Sequence, residues 1–265
     1  MRLLNIASGS SGNSTYVGTN NTHILIDTGI SKKRIFEGLN EAELLIDDID
    51  AILITHEHID HICSLGVIER KFEIPIYATK GTIEGIKRTC SLKDFNYDVF
   101  CEIEEDNPFY INDIKFTALK TSHDANQSVC YKFENENSKG AIVTDLGIYN
   151  DYLISNLQDL NFLMIEANHD VRMLEVGPYP YPLKQRILSD FGHLSNELSG
   201  QFLDKLLNDN INEVMLAHLS KENNTSELAQ LTIKTEIDAS TSKYKSNDFN
   251  INVAHHDFCS NIIEF

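Results

Sequence analysis

Residues 55–61 read THEHIDH and directly follow the apolar run AILI. Three imidazoles, a glutamate and an aspartate within seven residues are nitrogen and oxygen donors of the kind that hold Zn, Mn or Fe. His56 and His58 stand two apart, so a tight loop after a strand can aim both at one ion. Asp60 and His61 lie a step further on, available to a second. The alternative is a solvent-facing polar turn, which leaves the other polar strand ends of the chain unexplained.

Those further donors are His123 in KTSHDANQ, Asp145 in VTDLG and His218 in MLAHLS. Singly, each has an ordinary reading: a surface or helix-capping histidine, a capping or turn-forming aspartate, a half-buried histidine. Together with the first cluster they suffice for two divalent ions, and a carboxylate with two oxygens makes Asp145 the natural bridge. Asp27 precedes the cluster and suits the hydrogen bond that holds the other N–H of a ligand imidazole. His169 in ANHDVRML and His193 in GHLSN fall outside this set. Either can donate to a phosphate or protonate a leaving oxygen, or be structural, His193 as a brace for the helix that follows it. The loop Ser8–Ser14, with Gly9 and Gly12, either offers amides to a phosphate or is a plain turn. GPYPYPLKQR (177–186) either stacks on a base or is a rigid connection with buried rings. His255–His256 is a candidate for the rim of the site.

These residues need positioning elements. Apolar runs over 2–7, 14–19, 23–29, 51–55, 74–79, 128–134, 140–145, 161–168, 213–218 and 251–255 read as strands, with two or three more over 97–119. Helices are expected over 31–39 with Ser31 as cap, over 62–71, 79–88 and 182–190, from Ser195 or Asn196 onward, and over 226–236. Strands alternate with helices along the whole chain, which favours a layered α/β domain. Asp27, His56, Asp145 and His218 each end or follow a short apolar strand, and ligands gather at strand ends in such folds.

The 265 residues suit one large domain or two small ones, and at 42% hydrophobic the chain is expected to fold. No apolar run approaches a membrane span, and the start lacks a signal peptide's apolar stretch, so a cytoplasmic location is the expectation. Five cysteines, at 63, 90, 101, 130 and 259, form no CxxC and are expected mostly as small core residues. The net charge of −18, from 22 basic and 40 acidic residues, should repel phosphate backbones at long range. Bound metal would cancel part of it.

Taken together, LIDTG, the 55–61 cluster, His123, Asp145 and His218 resemble the motifs of the metallo-β-lactamase superfamily, in order and over roughly 25–220. The resemblance implies a four-layered αββα sandwich with the metal site at one edge. It implies that His56, His58 and His123 bind one ion, that Asp60, His61 and His218 bind the other, and that Asp145 bridges. True lactamases of the superfamily carry a cysteine where Asp145 stands, so β-lactam hydrolysis is not expected. ASGSSGNSTYV (7–17), THEHIDHICSLGVIERK (55–71), IEANHD (165–170) and GHLSN (192–196) resemble the YycJ/WalJ (VicX) family over almost the full chain. That implies a metal-dependent 5′-to-3′ DNA exonuclease linked to mismatch repair, acting on DNA ends. The 72 residues between Asp145 and His218 are too few for a full β-CASP insert, so residues 1–265 are read as a single domain.

The chemistry expected is attack on phosphorus by a hydroxide generated at the metal pair, with Asp60 orienting it. No GxSxG elbow or nucleophilic cysteine is present. The runner-up is a glyoxalase II-like thioesterase, which uses the same ligand set. Those enzymes append a helical part after the last histidine, where 47 residues remain here.

Overall fold

The computed structural model describes residues 1–89 and 95–265, which divide into two compact units. The first comprises Met1–Lys120, Ala125–Asn137 and His255–Phe265. Its main sheet runs, in order, through β1 (Arg2–Ala7), β2 (Ser14–Gly18), β3 (His23–Ile26), β4 (Ala51–Leu53), β5 (Ile76–Thr79) and β6 (Phe100–Ile103), with the last strand, Ile263–Glu264, beside β1. The strands β1 to β3 pair antiparallel; β3 to β6 are parallel. An antiparallel meander of β7 (Phe109–Ile111), β8 (Ile114–Lys120) and β9 (Val129–Glu134) completes the set, giving three strands within the 97–119 stretch.

Parallel neighbours need crossovers. These are α1 (Lys32–Glu41) between β3 and β4, α2 (Ile59–Ile62) and α3 (Leu65–Phe72) between β4 and β5, and α4 (Lys80–Arg88) between β5 and β6. Apolar residues at helical spacing, Ile35 and Leu39, Leu65 and Ile68, Ile83 and Ile86, bury against Leu4, Leu25, Ile52 and Ile76 of the sheet. Ser31 and Thr79 cap α1 and α4 by accepting the amides of Arg34 and Thr82. The single helix expected over 62–71 is broken. Ser64 gives its N–H to Thr28 O (2.9 Å) and its hydroxyl to Ile30 O, and this cross-link to the loop after β3 interrupts the helical ladder.

The second unit comprises Thr121–Asp124 and Ser138–Ala254. Its strands β10 (Lys139–Val143), β11 (Phe162–Glu166), β12 (Glu213–Ala217) and β13 (Ile251–Val253) are all parallel. Every residue of β11 is buried, so FLMIE reads as a continuous apolar run closed by one acid. Its helices are α5 (Asp151–Asn156), α6 (Val171–Val176), α7 (Tyr181–Ile187), α8 (Asn196–Leu206) and α9 (Ser226–Ala239). The six-residue helices α5 and α6 were not expected, because such lengths are too short to show a 3.6-residue period. Among the described cysteines only Cys130 is a core residue; Cys63 is exposed, Cys101 and Cys259 are half-buried, and Cys90 lies outside the described residues. No described helix is long and apolar enough to cross a membrane.

One contact in the first unit fixes the histidine loop. Thr28 N–H donates to His61 O, Asn13 N–H to Asp60 O and Gly29 N–H to Asn13 O, each at 2.8 Å. A Cβ on Gly29 would stand 1.6 Å from Asp60 O. Gly29→Ala must therefore push the Asp60 backbone away, and we expect ~1–3 kcal/mol of destabilisation, the usual cost of overpacking, together with reduced metal retention. Urea denaturation and metal analysis check it; a variant matching wild type in both would show that the loop yields freely.

Candidate metal centre

The adjacent parallel strands β3 and β4 deliver the first donor set. Asp27 leaves β3 in the left-handed region (φ 61), which residues other than glycine adopt at some cost and which recurs at functional sites. Its buried carboxylate accepts Thr55 N–H (2.9 Å), the Thr55 hydroxyl (2.9 Å) and His61 Nδ1–H (2.8 Å). The Thr55 oxygen, having donated its proton to Asp27, accepts His56 Nδ1–H at 3.0 Å. Both imidazoles are thus held by Nδ1, which makes Nε2 the nitrogen that could ligate a metal. The His56 ring centroid lies 4.1 Å from that of His61 and 4.6 Å from that of His58, so three imidazoles converge. Asp60 Oδ2 stands 3.7 Å from His61 Nε2. Asn13 Nδ2 also approaches His61 Nε2, at 3.1 Å, and an ion on this nitrogen has to displace that contact.

Asn13 also gives the Ser8–Ser14 loop a structural role. Gly9 N–H goes to Asn13 Oδ1, Gly12 N–H to Gly9 O and Ser8 N–H to His255 O. These three amides are committed within the protein, and through Asn13 the loop buttresses Asp60 and His61. The pair at 255–256 is likewise engaged: His255 stacks on Phe258, and His256 pairs with Asp257.

The second unit assembles its own set at the ends of β10, β11 and β12, which lie in register through Val143, Ile165 and Leu216. Asp145 follows β10 (φ 59) and His218 follows β12 (φ 56), again both left-handed. Between them, at the last position of β11, sits Glu166, fully buried. Its carboxylate accepts His193 Nδ1–H (2.8 Å), His218 Nδ1–H (3.1 Å), Leu146 N–H (3.0 Å) and Leu194 N–H (3.3 Å). Burial alone would push this carboxyl up. The charge and hydrogen bond of His193, then those of His218, outweigh burial and hold it well below the usual carboxylate range. His123 gives its Nδ1–H to Gly192 O (3.1 Å). His123 and His218 therefore both present Nε2, at 3.9 and 3.4 Å from Asp145 Oδ1. Donors ~2.0–2.2 Å from a shared tetrahedral ion stand roughly 3.3–3.6 Å apart, so the spacing suits a divalent cation with little adjustment. One ligand atom each from Asp145, Glu166, His193 and His218 falls within 4.8 Å of the other three.

Several alternatives fall away. Asp145 is not the cap of α5, which is Asn150, and His193 is not the cap of α8, which is Ser195. The rings of GPYPYPLKQR are not buried as expected: Tyr181 is 72% exposed at the start of α7. His169 is buried, with Nδ1 3.3 Å from Asn168 Oδ1 and no partner at Nε2. Burial, only partly offset by Glu166, lowers its pKa to about 4, so at neutral pH it is an uncharged imidazole. The residue that sequence reading missed is Glu166. Its signal was present, as the one acid closing an apolar strand run, the same cue that picked out Asp27 and Asp145. Both units carry donor sets of the divalent-metal type, with imidazoles oriented through oxygen acceptors.

Residues 22–218 match the beta-lactamase superfamily domain. The chain is 38% identical over 228 residues to exodeoxyribonuclease YycJ of Bacillus anthracis, covering 86% of each protein. It is 38% identical over 232 residues to exodeoxyribonuclease WalJ of Streptococcus pneumoniae, covering 88% of this chain and 86% of that one. Among solved structures it is similar to the metallo-β-lactamase fold protein YhfI of Bacillus subtilis, with a TM-score of 0.73 and 18% identity over 98% of each chain. That likeness shows the fold, and it is the fold class expected from the sequence.

Two predictions arise here. Asp27→Asn puts an amide where His61 Nδ1–H needs an acceptor, and we expect metal affinity to fall ~10–100-fold with the fold retained; competition with a chromophoric chelator measures it, and unchanged affinity would remove Asp27 from the site. His169 has a depressed folded pKa, so its contribution to stability is complete above its ordinary value near 6.5 and is lost as pH falls towards 4. Over that window the loss should be on the order of 3 kcal/mol for the metal-free protein. His169→Gln should flatten the acid limb in urea titrations at stepped pH; an unchanged limb would show that another group governs it.

Proposed function

The chain belongs to the β-lactamase superfamily and, within it, to the YycJ/WalJ exodeoxyribonuclease family, and from that premise we propose that it is a two-metal phosphodiesterase that removes nucleotides from DNA ends in the 5′-to-3′ direction. The observation that carries this reading is the Asp145 carboxylate facing the Nε2 atoms of His218 and His123, with Glu166 and Gly192 O holding the opposite nitrogens. The superfamily match, 22–218, takes in strands of both units, and we read residues 1–265 as one catalytic domain without a full β-CASP insert.

In this reading, as the family resemblance implies, His56, His58 and His123 would hold one ion, Asp60, His61 and His218 would hold the second, and Asp145 would serve both. When bound, such ions lower the pKa of water towards neutrality and neutralise charge building on a phosphoryl group. Zn, Mn and Fe all suit mixed nitrogen and oxygen donors. Asp60, part-exposed beside the histidine cluster, accepts a hydrogen bond from the attacking water and turns its lone pair to phosphorus. His193 has Nδ1–H committed to Glu166, so only its Nε2 can pass a proton to the leaving oxygen. His169, neutral at working pH with its Nδ1–H turned to Asn168 Oδ1, presents Nε2 as a lone-pair acceptor and so acts neither as an acid nor as a donor through that nitrogen. Bound cations also offset part of the −18 charge where a DNA strand must approach. We place the activity in the cytoplasm, where such ends arise.

Incubation with end-labelled DNA and Mn²⁺ or Zn²⁺ tests the proposal. Mononucleotides released from the 5′ end support it; turnover of a thioester with no cleavage of DNA would sink it. Asp145→Asn keeps the shape but removes a charge, and we expect the fold to survive, metal content to fall and kcat to drop by at least ~10²-fold. Near-wild-type turnover and metal content would show that Asp145 is no ligand.

A further inference from the structure

Phe191 stands on a turn that is locked at almost every backbone position. Gly192 N–H donates to Ser189 O (2.8 Å) and His193 N–H to Ile187 O (3.0 Å). Asp124 N–H donates to the carbonyl of Phe191 itself (3.1 Å), the Ser122 hydroxyl to Asp190 O (2.6 Å) and His123 Nδ1–H to Gly192 O (3.1 Å). A Cβ on Gly192 would stand 2.1 Å from Ile187 O, so the turn closes tightly only with glycine there. The next residue, His193, is tied to Glu166. This turn therefore orients one imidazole of the site and leads directly into another.

The phenyl ring takes no part in that scaffolding. It is 59% exposed, and among the described residues no aromatic or cation contact involves it. A large apolar ring held in water, on a turn this rigid, next to two functional histidines, gains nothing for the core and is preorganised for a flat apolar ligand. A chain of net charge −18 also needs a means of holding DNA that does not depend on long-range attraction. Stacking on a base supplies it, because every base presents a π-face and the contact is uncharged and tolerant of sequence.

We propose that Phe191 is the platform on which the base of the terminal nucleotide stacks while its phosphodiester is cut, an inference that rests on the nuclease reading above. The test compares oligonucleotides whose terminal nucleotide carries a base with the same oligonucleotides made abasic at that position. Wild-type enzyme should prefer the base-bearing end by about tenfold in kcat/KM, mostly through KM, as expected for one stacked base. Phe191→Ala and Phe191→Leu should both lose the preference, with unchanged metal content and kcat on the abasic end, and Phe191→Trp should restore it. The ratio of wild type to Phe191→Ala should persist as salt rises, since only phosphate contacts are screened. Retention of the preference by the alanine and leucine variants overturns the proposal, as does a wild type that cuts both ends equally well, and either result leaves the nuclease reading standing. A wild type that cuts no DNA end overturns that reading and this one with it.

Discussion

On the proposed two-metal reading the arrangement depends on one constraint: an imidazole that is to ligate a metal must be held by its other nitrogen. His61 is held by Asp27, His56 by the Thr55 hydroxyl, His218 by Glu166 and His123 by the Gly192 carbonyl. Each bond fixes which nitrogen carries the proton and which way the lone pair points. Two of the four acceptors are buried carboxylates, and a buried charge persists only where hydrogen bonds satisfy it. Asp27 gains three donors and Glu166 four, so the donors that stabilise each carboxylate are in part the imidazoles it orients.

That mutual dependence explains the backbone. Asp27, Asp145 and His218 turn through left-handed conformations immediately after, or two residues beyond, the last strand residue. The strands are parallel and in register, so their ends present side chains at one level, and the sharp turn keeps each functional side chain close to the strand instead of letting the chain run on. The cost of an unfavourable φ at three positions is offset by the packing of apolar strands that cannot shift without exposing a core face. The Gly29 contact with Asp60 and the Gly192 contact with Ile187 have the same purpose: close backbone approaches that leave the adjoining ligand loops no freedom.

The acidic character of the chain bears on how it engages a substrate. Carboxylates that would repel a phosphate at a distance are, at the site, groups that orient imidazoles, as Asp27 and Glu166 do, and on the proposed reading they also gather cations. On the proposed reading the apolar contribution to binding falls to Phe191, which, like Tyr181, is exposed on the 177–193 segment.

The sequence by itself determined the donor types, their order and the strands that deliver them, because metal ligation needs particular atoms and buried parallel strands need unbroken apolar runs. It also placed Ser31 as a cap and put the start of α8 at Ser195 or Asn196, since capping is a local contact between residues three apart. What only the tertiary structure decided involves partners distant in sequence. Glu166 meets His193 and His218 at separations of 27 and 52 residues, so no local pattern shows that this acid organises two imidazoles. Ser64 breaks the expected helix through Thr28 and Ile30, and Asn13 commits the glycine-rich loop to a structural role through Asp60. The exposure of Tyr181 and Phe191 is of the same kind: a ring's place inside or outside a core depends on what the rest of the chain packs against it, and that is set only when distant segments meet.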